Sequence, residues 1–230
     1  MEKNIITLRE PFYEGYSMTE AYTTLRSNIM FCGSENKVIG LSSCTPGEGK
    51  STVSFYLARS FAESGKRTLL VDADMRKSVM FSEYAEGSHT FGLSHCLSGQ
   101  AAFEEAVVGT QYPELDVLFS GTYPPNPVKL LESDAFRELI ERARAEYDYV
   151  IVDLPPVGLV IDAAVAAKVC DGVVMIVAAE KNSVRFAQSC LRQLEKSNTP
   201  ILGSVLTMTS PRTGKKYKRY SGRYYGHEQP

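Results

Sequence analysis

The sequence predicts an α/β domain: a doubly wound, mostly parallel sheet of about seven strands, followed by a flexible C-terminal tail. Three observations predict it. An apolar run, Val38-Ile39-Gly40-Leu41, enters a glycine-rich loop that leaves as a helical stretch from Val53 to Ser64, stopped by Gly65. Two more apolar runs, Thr68 to Val71 and Tyr149 to Val152, each end in an aspartate. Strand-like and helical periods then alternate as far as Leu206.

The elements follow in order. Residues 1–16 are polar and aromatic without a clear period, and read as an arm lying over the domain or over a neighbour. Ser17-Met18-Thr19-Glu20 is a capping-box pattern, opening a helix with Ala21, Tyr22, Leu25 and Ile29 on its apolar face. After the first strand comes Ser42-Ser43-Cys44-Thr45-Pro46-Gly47-Glu48-Gly49-Lys50-Ser51-Thr52. Gly47 and Gly49 let backbone N–H groups turn inward at a helix N-terminus, where the dipole favours anions. Lys50 can reach the β- and γ-phosphates of a nucleotide, and the Ser51 hydroxyl can ligate Mg²⁺. The predicted nucleotide-binding residues are Pro46, Gly47, Glu48, Gly49, Lys50, Ser51 and Thr52, with Glu48 in a structural or cross-subunit role. Cys44 stands where the generic G-x-x-x-x-G-K-[ST] pattern has Gly, either as a redox-sensitive thiol or simply as a small residue.

The strand at 68–72 runs into Asp72-Ala73-Asp74-Met75-Arg76, and the strand at 149–153 ends in Asp153 and then Leu154-Pro155-Pro156. A doubly wound sheet collects ligands beyond the carboxyl ends of its strands, so Lys-Ser, Asp-x-Asp and Asp are delivered to one crevice. Mg²⁺ keeps several waters, so Ser51, Asp72, Asp74 and Asp153 are predicted to hold it directly or through water. Arg76 clamps a phosphate or pairs with these acids.

Further on, short helices are expected at 78–84, 92–99 and 103–107, and a strand at 115–119. Pro124-Pro125-Asn126-Pro127 makes a stiff loop before a helix near Val128. Ser133 to Glu146 is a helix with Phe136, Leu139, Ile140 and Ala143 on one face, and 162–169 another. Pro155 to Gly158 forms a turn able to respond to a γ-phosphate. Gly172 to Ala178 reads as a strand covered on both faces, Ser183 caps a helix, and 201–206 is the last strand.

Composition narrows the function. With 230 residues and 43% hydrophobic content, the chain can bury one sizeable core. A net charge of −2 gives no bulk attraction to nucleic acid, and no nucleic-acid partner is expected. Cys32, Cys44, Cys96, Cys170 and Cys190 make no Cys-x-x-Cys pair, which suits a reducing cytosol. No apolar run reaches the ~18 residues of a spanning helix, so work at a membrane requires a partner's anchor.

Residues 210–230 differ. Arg212, Lys215, Lys216, Lys218, Arg219 and Arg223 interleave with Tyr217, Tyr220, Tyr224 and Tyr225, with no Leu, Ile or Val to build a core. Such a tail binds nucleic acid, binds anionic lipid, presents tyrosines as phosphoryl acceptors, or is inert. An extended chain from Pro211 to Tyr225 spans at most roughly 50 Å, enough for its own site or a neighbour's.

Pro-Gly-Glu-Gly-Lys-Ser, Asp-x-Asp-x-Arg, the strand ending in Asp153 and the tyrosine-rich tail together resemble the bacterial tyrosine kinases, in the cytoplasmic type that serves capsular polysaccharide machinery in Gram-positive bacteria. The resemblance runs from about Ser17 to the C-terminus. It implies a P-loop NTPase fold with the kinase domain at 17–209, ATP and Mg²⁺ as cofactors, and autophosphorylation of Tyr217, Tyr220, Tyr224 and Tyr225, in trans between subunits. Lys50, Asp72, Asp74, Arg76 and Asp153 are then the catalytic set, with Asp74 orienting the incoming tyrosine hydroxyl. It also implies a membrane polysaccharide co-polymerase, or adaptor, whose cytoplasmic tail activates the kinase and recruits it from the cytoplasm to the inner face of the membrane. A cognate tyrosine phosphatase and other copies of the chain complete the implied partners. The family's Glu-x-x-Arg-x-x-Arg assembly pattern is met at Glu20 and Arg26 but not at Thr23, which weakens the case for a ring. Two alternatives stand beside this reading. A partitioning-type ATPase carries a signature lysine where Thr45 stands here; a nucleotide-switched adaptor needs no turnover.

Overall fold

A computed structural model describes residues 4–9 and 16–209, with the side chains of Tyr16 and Ser17 left aside. The tail with its four predicted acceptor tyrosines lies outside the described residues. In chain order the elements begin β1 (Ile5–Leu8), α1 (Tyr16–Phe31), β2 (Val38–Ser43), α2 (Lys50–Glu63), β3 (Thr68–Asp72) and α3 (Met80–Tyr84). They continue with β4 (Ala85–Glu86), α4 (Leu93–Leu97), α5 (Phe103–Ala106), β5 (Val108–Thr110), β6 (Leu115–Leu118), α6 (Pro127–Leu131) and α7 (Asp134–Glu146). The last are β7 (Tyr149–Asp153), α8 (Asp162–Ala167), β8 (Gly172–Ala178), α9 (Val184–Glu195) and β9 (Ile201–Thr207).

The strands form one sheet in the order β4-β1-β5-β6-β3-β7-β2-β8-β9. All pairs are parallel except β1 with β4 and β5 with β6. The fold is therefore the expected doubly wound, mostly parallel one, with nine strands where about seven were predicted. The additional strands are short. β4 has two residues and β5 three, too few to show a period. β1 comes from the predicted arm: Ile6 and Leu8 are buried while Ile5 and Thr7 are exposed, a half-buried strand rather than a loose cover.

Alternate residues of the central strands feed two cores. Val38, Leu69, Val71, Val150, Val152, Val173 and Met175 pack on one face with Phe136, Leu139, Ile140 and Ala143 of α7, the face predicted for that helix. Ile39, Leu41, Leu70, Ile151, Val174 and Ile176 pack on the other with Phe55 and Phe61 of α2 and Ile29 of α1. Burial on both faces is why these strands read as continuous apolar runs. On α1, Arg26 donates to the carbonyl of Ser60 and, at 3.1 Å, to its hydroxyl.

The order places β3, β7 and β2 side by side and parallel. Their carboxyl ends carry Asp72, Asp153 and the glycine loop, and Asp72 and Asp153 are register partners. No helix among the described residues is long and apolar enough to cross a membrane.

Candidate active site

The loop after β2 is shaped for an anion. Gly47 and Gly49 sit in the left-handed region at φ 69° and 83°, and Gly49 caps α2. The amides that open α2 at Lys50, Ser51 and Thr52 have no helical partner, so the fourteen-residue helix points its positive end at the loop's hollow.

The Asp153 carboxylate organises the floor. Its Oδ2 lies 2.7 Å from Lys50 Nζ and accepts from the Ser51 hydroxyl at 2.7 Å. Its Oδ1 accepts from the Ser54 hydroxyl at 2.8 Å. Both charged side chains are almost wholly buried, at 8% and 1% exposure, so neither would be tolerated without the other. Asp72 lies one strand away with weaker compensation: the Ser78 hydroxyl and, at 3.2 Å, the Asp74 amide. Burial, and then the neighbouring Asp153 carboxylate, push the Asp72 carboxyl up to about 7, against the partial help of Ser78 and Lys50.

Asp74 and Arg76 stand on the turn beyond β3. Asp74 Oδ1 accepts from the amides of Arg76 at 3.3 Å and Lys77 at 3.1 Å. Arg76 makes a forked pair with Asp162, Nε to Oδ2 at 2.7 Å and an Nη to Oδ1 at 3.1 Å. Its partner is thus Asp162, at the start of α8, and not Asp72, Asp74 or Asp153. Eighty-six positions separate the two, and nothing local in the sequence marks them as a pair.

These residues border one cleft of about 390 Å³. Pro46, Gly47, Gly49, Lys50, Ser51 and Thr52 form its base, Asp74, Arg76, Lys77 and Glu83 one wall, and Pro155, Pro156, Leu159 and Val160 the other. The second wall is clipped to the loop: the Val157 amide donates to the Ser43 carbonyl at 2.9 Å and Gly158 to Cys44 at 3.1 Å. A Cβ on Gly158 would lie 2.3 Å from the Cys44 carbonyl oxygen, so only glycine permits this approach. A larger, shallower depression of about 670 Å³, at the amino ends of the strands around Arg67, Glu114 and Glu146, contains none of the predicted residues.

Of the loop's predicted residues, Glu48 turns away. It is fully buried on the outer side, where its carboxylate accepts from the Thr45 amide at 2.8 Å and from the Asn182 side chain. Its carbonyl accepts from Thr207 Oγ1 at 2.7 Å. Glu48 therefore braces the loop from behind. Cys44 is buried, and burial followed by the Cys190 thiol pushes it up to about 12, so it stays protonated and serves as a small packing residue.

The residues that the sequence did not disclose are Ser54, Ser78, Asp162 and Asn182. Ser54, one helical turn after Lys50, carried a faint signal; the others reach their partners only through the fold.

Magnesium fits this donor set. Two buried carboxylates in register share one lysine, and a divalent cation offsets the excess. Among the described residues no three acidic, histidine or cysteine side chains converge to hold an ion alone. A bound ion would find one hydroxyl, water and phosphate oxygens here, with the carboxylates reached through water.

Comparisons agree with the geometry. The family model described as AAA domain matches residues 36–202. The tyrosine-protein kinase CpsD of Streptococcus agalactiae serotype Ia is 40% identical over 191 residues, 83% of this chain and 82% of that one. The tyrosine-protein kinase YwqD of Bacillus subtilis is 37% identical over 229 residues, 98% of this chain and 92% of that one. The solved kinase domain of the Escherichia coli tyrosine kinase ETK superposes with a TM-score of 0.77 at 32% identity, covering 84% of this chain and 78% of that one.

Proposed function

The chain belongs to the bacterial tyrosine-protein kinases, and from that premise we propose that it binds ATP and Mg²⁺ on the loop at 46–52 and phosphorylates its own tail at Tyr217, Tyr220, Tyr224 and Tyr225. The observation that carries the reading is the convergence of Lys50, Ser51 and Asp74 on one cleft with Asp153 buried behind them.

The roles follow from the contacts. Lys50 and the amides at the start of α2 hold the β- and γ-phosphates. Ser51 would be the direct protein ligand for the ion, and Asp153 and Asp72 would hold it through water. When bound, the ion neutralises charge on the phosphate oxygens. Asp74 lines the cleft whereas Asp72 does not, which supports Asp74 as the group that orients the acceptor hydroxyl. The tyrosine oxygen forms its bond to the γ-phosphorus as the bond to the β,γ-bridging oxygen breaks; ADP departs and the hydroxyl proton passes to Asp74. A loose transition state asks for positioning more than for a strong base. Arg76, held by Asp162, stabilises the wall and reaches a phosphate only if that pair opens.

In this reading the kinase controls capsular polysaccharide synthesis and export. It works at the inner face of the membrane, through the cytoplasmic tail of a membrane adaptor.

The test is intact mass and tyrosine-site mapping after incubation with ATP–Mg²⁺, with and without the adaptor's tail and with Lys50→Met as control. Phosphate on the four tail tyrosines, absent from the control, is expected. ATP hydrolysis with an unmodified tail would favour a nucleotide-switched ATPase instead.

A further inference from the structure

We propose that Glu83 sets acceptor specificity, selecting tyrosines that directly follow a lysine or arginine. The inference rests on the reading of the tail tyrosines as acceptors.

Two independent observations meet here. The first is in the sequence. Tyr217 follows Lys216, Tyr220 follows Arg219 and Tyr224 follows Arg223; Tyr225, which follows Tyr224, is the exception. The second is in the cleft. Its lining contains two carboxylates, Asp74 and Glu83. Asp74 is buried, with its Oδ1 taken by two backbone amides and its other oxygen left for the acceptor hydroxyl. Glu83 is exposed on α3 and makes no side-chain hydrogen bond or ion pair with another described residue. Of the cleft's cations, Lys50 faces Asp153 and Arg76 is forked onto Asp162, while Lys77 lies exposed on the same wall without an ion pair to another described residue. Among the described residues that line the cleft, Glu83 is thus the exposed carboxylate without a partner.

Its position suits the task. The next residue, Tyr84, bonds through its hydroxyl to Thr52 Oγ1 at 2.7 Å, fixing α3 beside the loop that holds the phosphates. Adjacent side chains of an extended peptide point to opposite sides. When an acceptor tyrosine points down into the cleft, the residue before it points away from the floor. A carboxylate that meets it must stand on the rim, as Glu83 does.

The experiment pairs two full-length chains. The acceptor is the Lys50→Met chain, carrying either the native tail or one with K216E, R219E and R223E. The wild-type kinase should label the native acceptor with a kcat/KM about fivefold higher, chiefly through KM, the size of one partly exposed ion pair. The Glu83→Lys kinase should reverse that preference, and its activity on the charge-swapped acceptor shows that it is folded. Site mapping over time should place Tyr225 last. Equal labelling of both acceptors by the wild type, or a preference that Glu83→Lys leaves in place, overturns the proposal. If Glu83→Lys labels neither acceptor, Glu83→Gln decides: loss of the preference supports the proposal and its retention overturns it. All reactions include the adaptor's cytoplasmic tail; if the wild type then labels neither tail, the acceptor reading itself has failed, and the proposal falls with it.

Discussion

Asp72 and Asp153 end neighbouring strands in the same register, yet their surroundings differ. Asp153 has a lysine and two serine hydroxyls around it. Asp72 has one serine hydroxyl and one amide, and Asp153's charge beside it. The first is part of a satisfied buried pair, and the protein is more stable for keeping it whole. The second carries a cost in the ligand-free protein, which a bound cation removes. Loss of function through either residue should therefore come with opposite effects on stability.

The largest effect breaks the satisfied side. Asp153→Asn strands the buried Lys50 charge and should lower stability by about 3 kcal/mol while abolishing tail phosphorylation. Chemical denaturation read beside a phosphotyrosine blot measures both. Asp72→Asn should also abolish transfer but raise the melting temperature of the ligand-free protein near neutral pH. The folded state keeps the Asp72 proton up to about pH 7, whereas an unfolded aspartate releases it near pH 4. This group therefore subtracts stability as pH rises from about 4 to 7, and its full cost remains above that range. Calorimetric scans should show the Asp72→Asn advantage at about pH 8 and none at about pH 4; an advantage equal at both would refute the charge-cost account.

Smaller effects sharpen the contrast. Ser51→Ala leaves Lys50 on Asp153 but removes the hydroxyl proposed to ligate the ion. Nucleotide affinity measured with Mg²⁺ should fall about tenfold, and affinity measured in EDTA should change little. Asn182→Ala removes the outer partner of Glu48 and should cost about 1 kcal/mol, with an ATP KM a few-fold higher and an unchanged pH profile.

The central half of the sheet was legible because each strand there is buried on both faces and ends in a residue with chemistry. Val38, Thr68 and Tyr149 open runs that no helix period explains, and their ends forecast one crevice. The other half was not legible. β4 and β5 are too short to carry a pattern, and β1 gains its meaning only from pairing with β5, about a hundred residues away. The same limit applied to side chains. Lys50, Ser51 and Asp153 announced themselves through spacing within a motif. The Arg76–Asp162 and Glu48–Asn182 contacts are made between segments whose proximity only the sheet order creates.

The outward turn of Glu48 has an electrical consequence. Behind the loop, three acceptors are matched by donors from the β8–β9 side: Lys181 to the Pro46 carbonyl, Thr207 to the Glu48 carbonyl, Asn182 to the Glu48 carboxylate. On its front it presents amides and Lys50. The segment keeps its satisfied acceptors behind and its free amides before, an arrangement set by the fold rather than by the nucleotide. An arriving phosphate meets a field already oriented, and the work of aligning those dipoles was done when the chain folded.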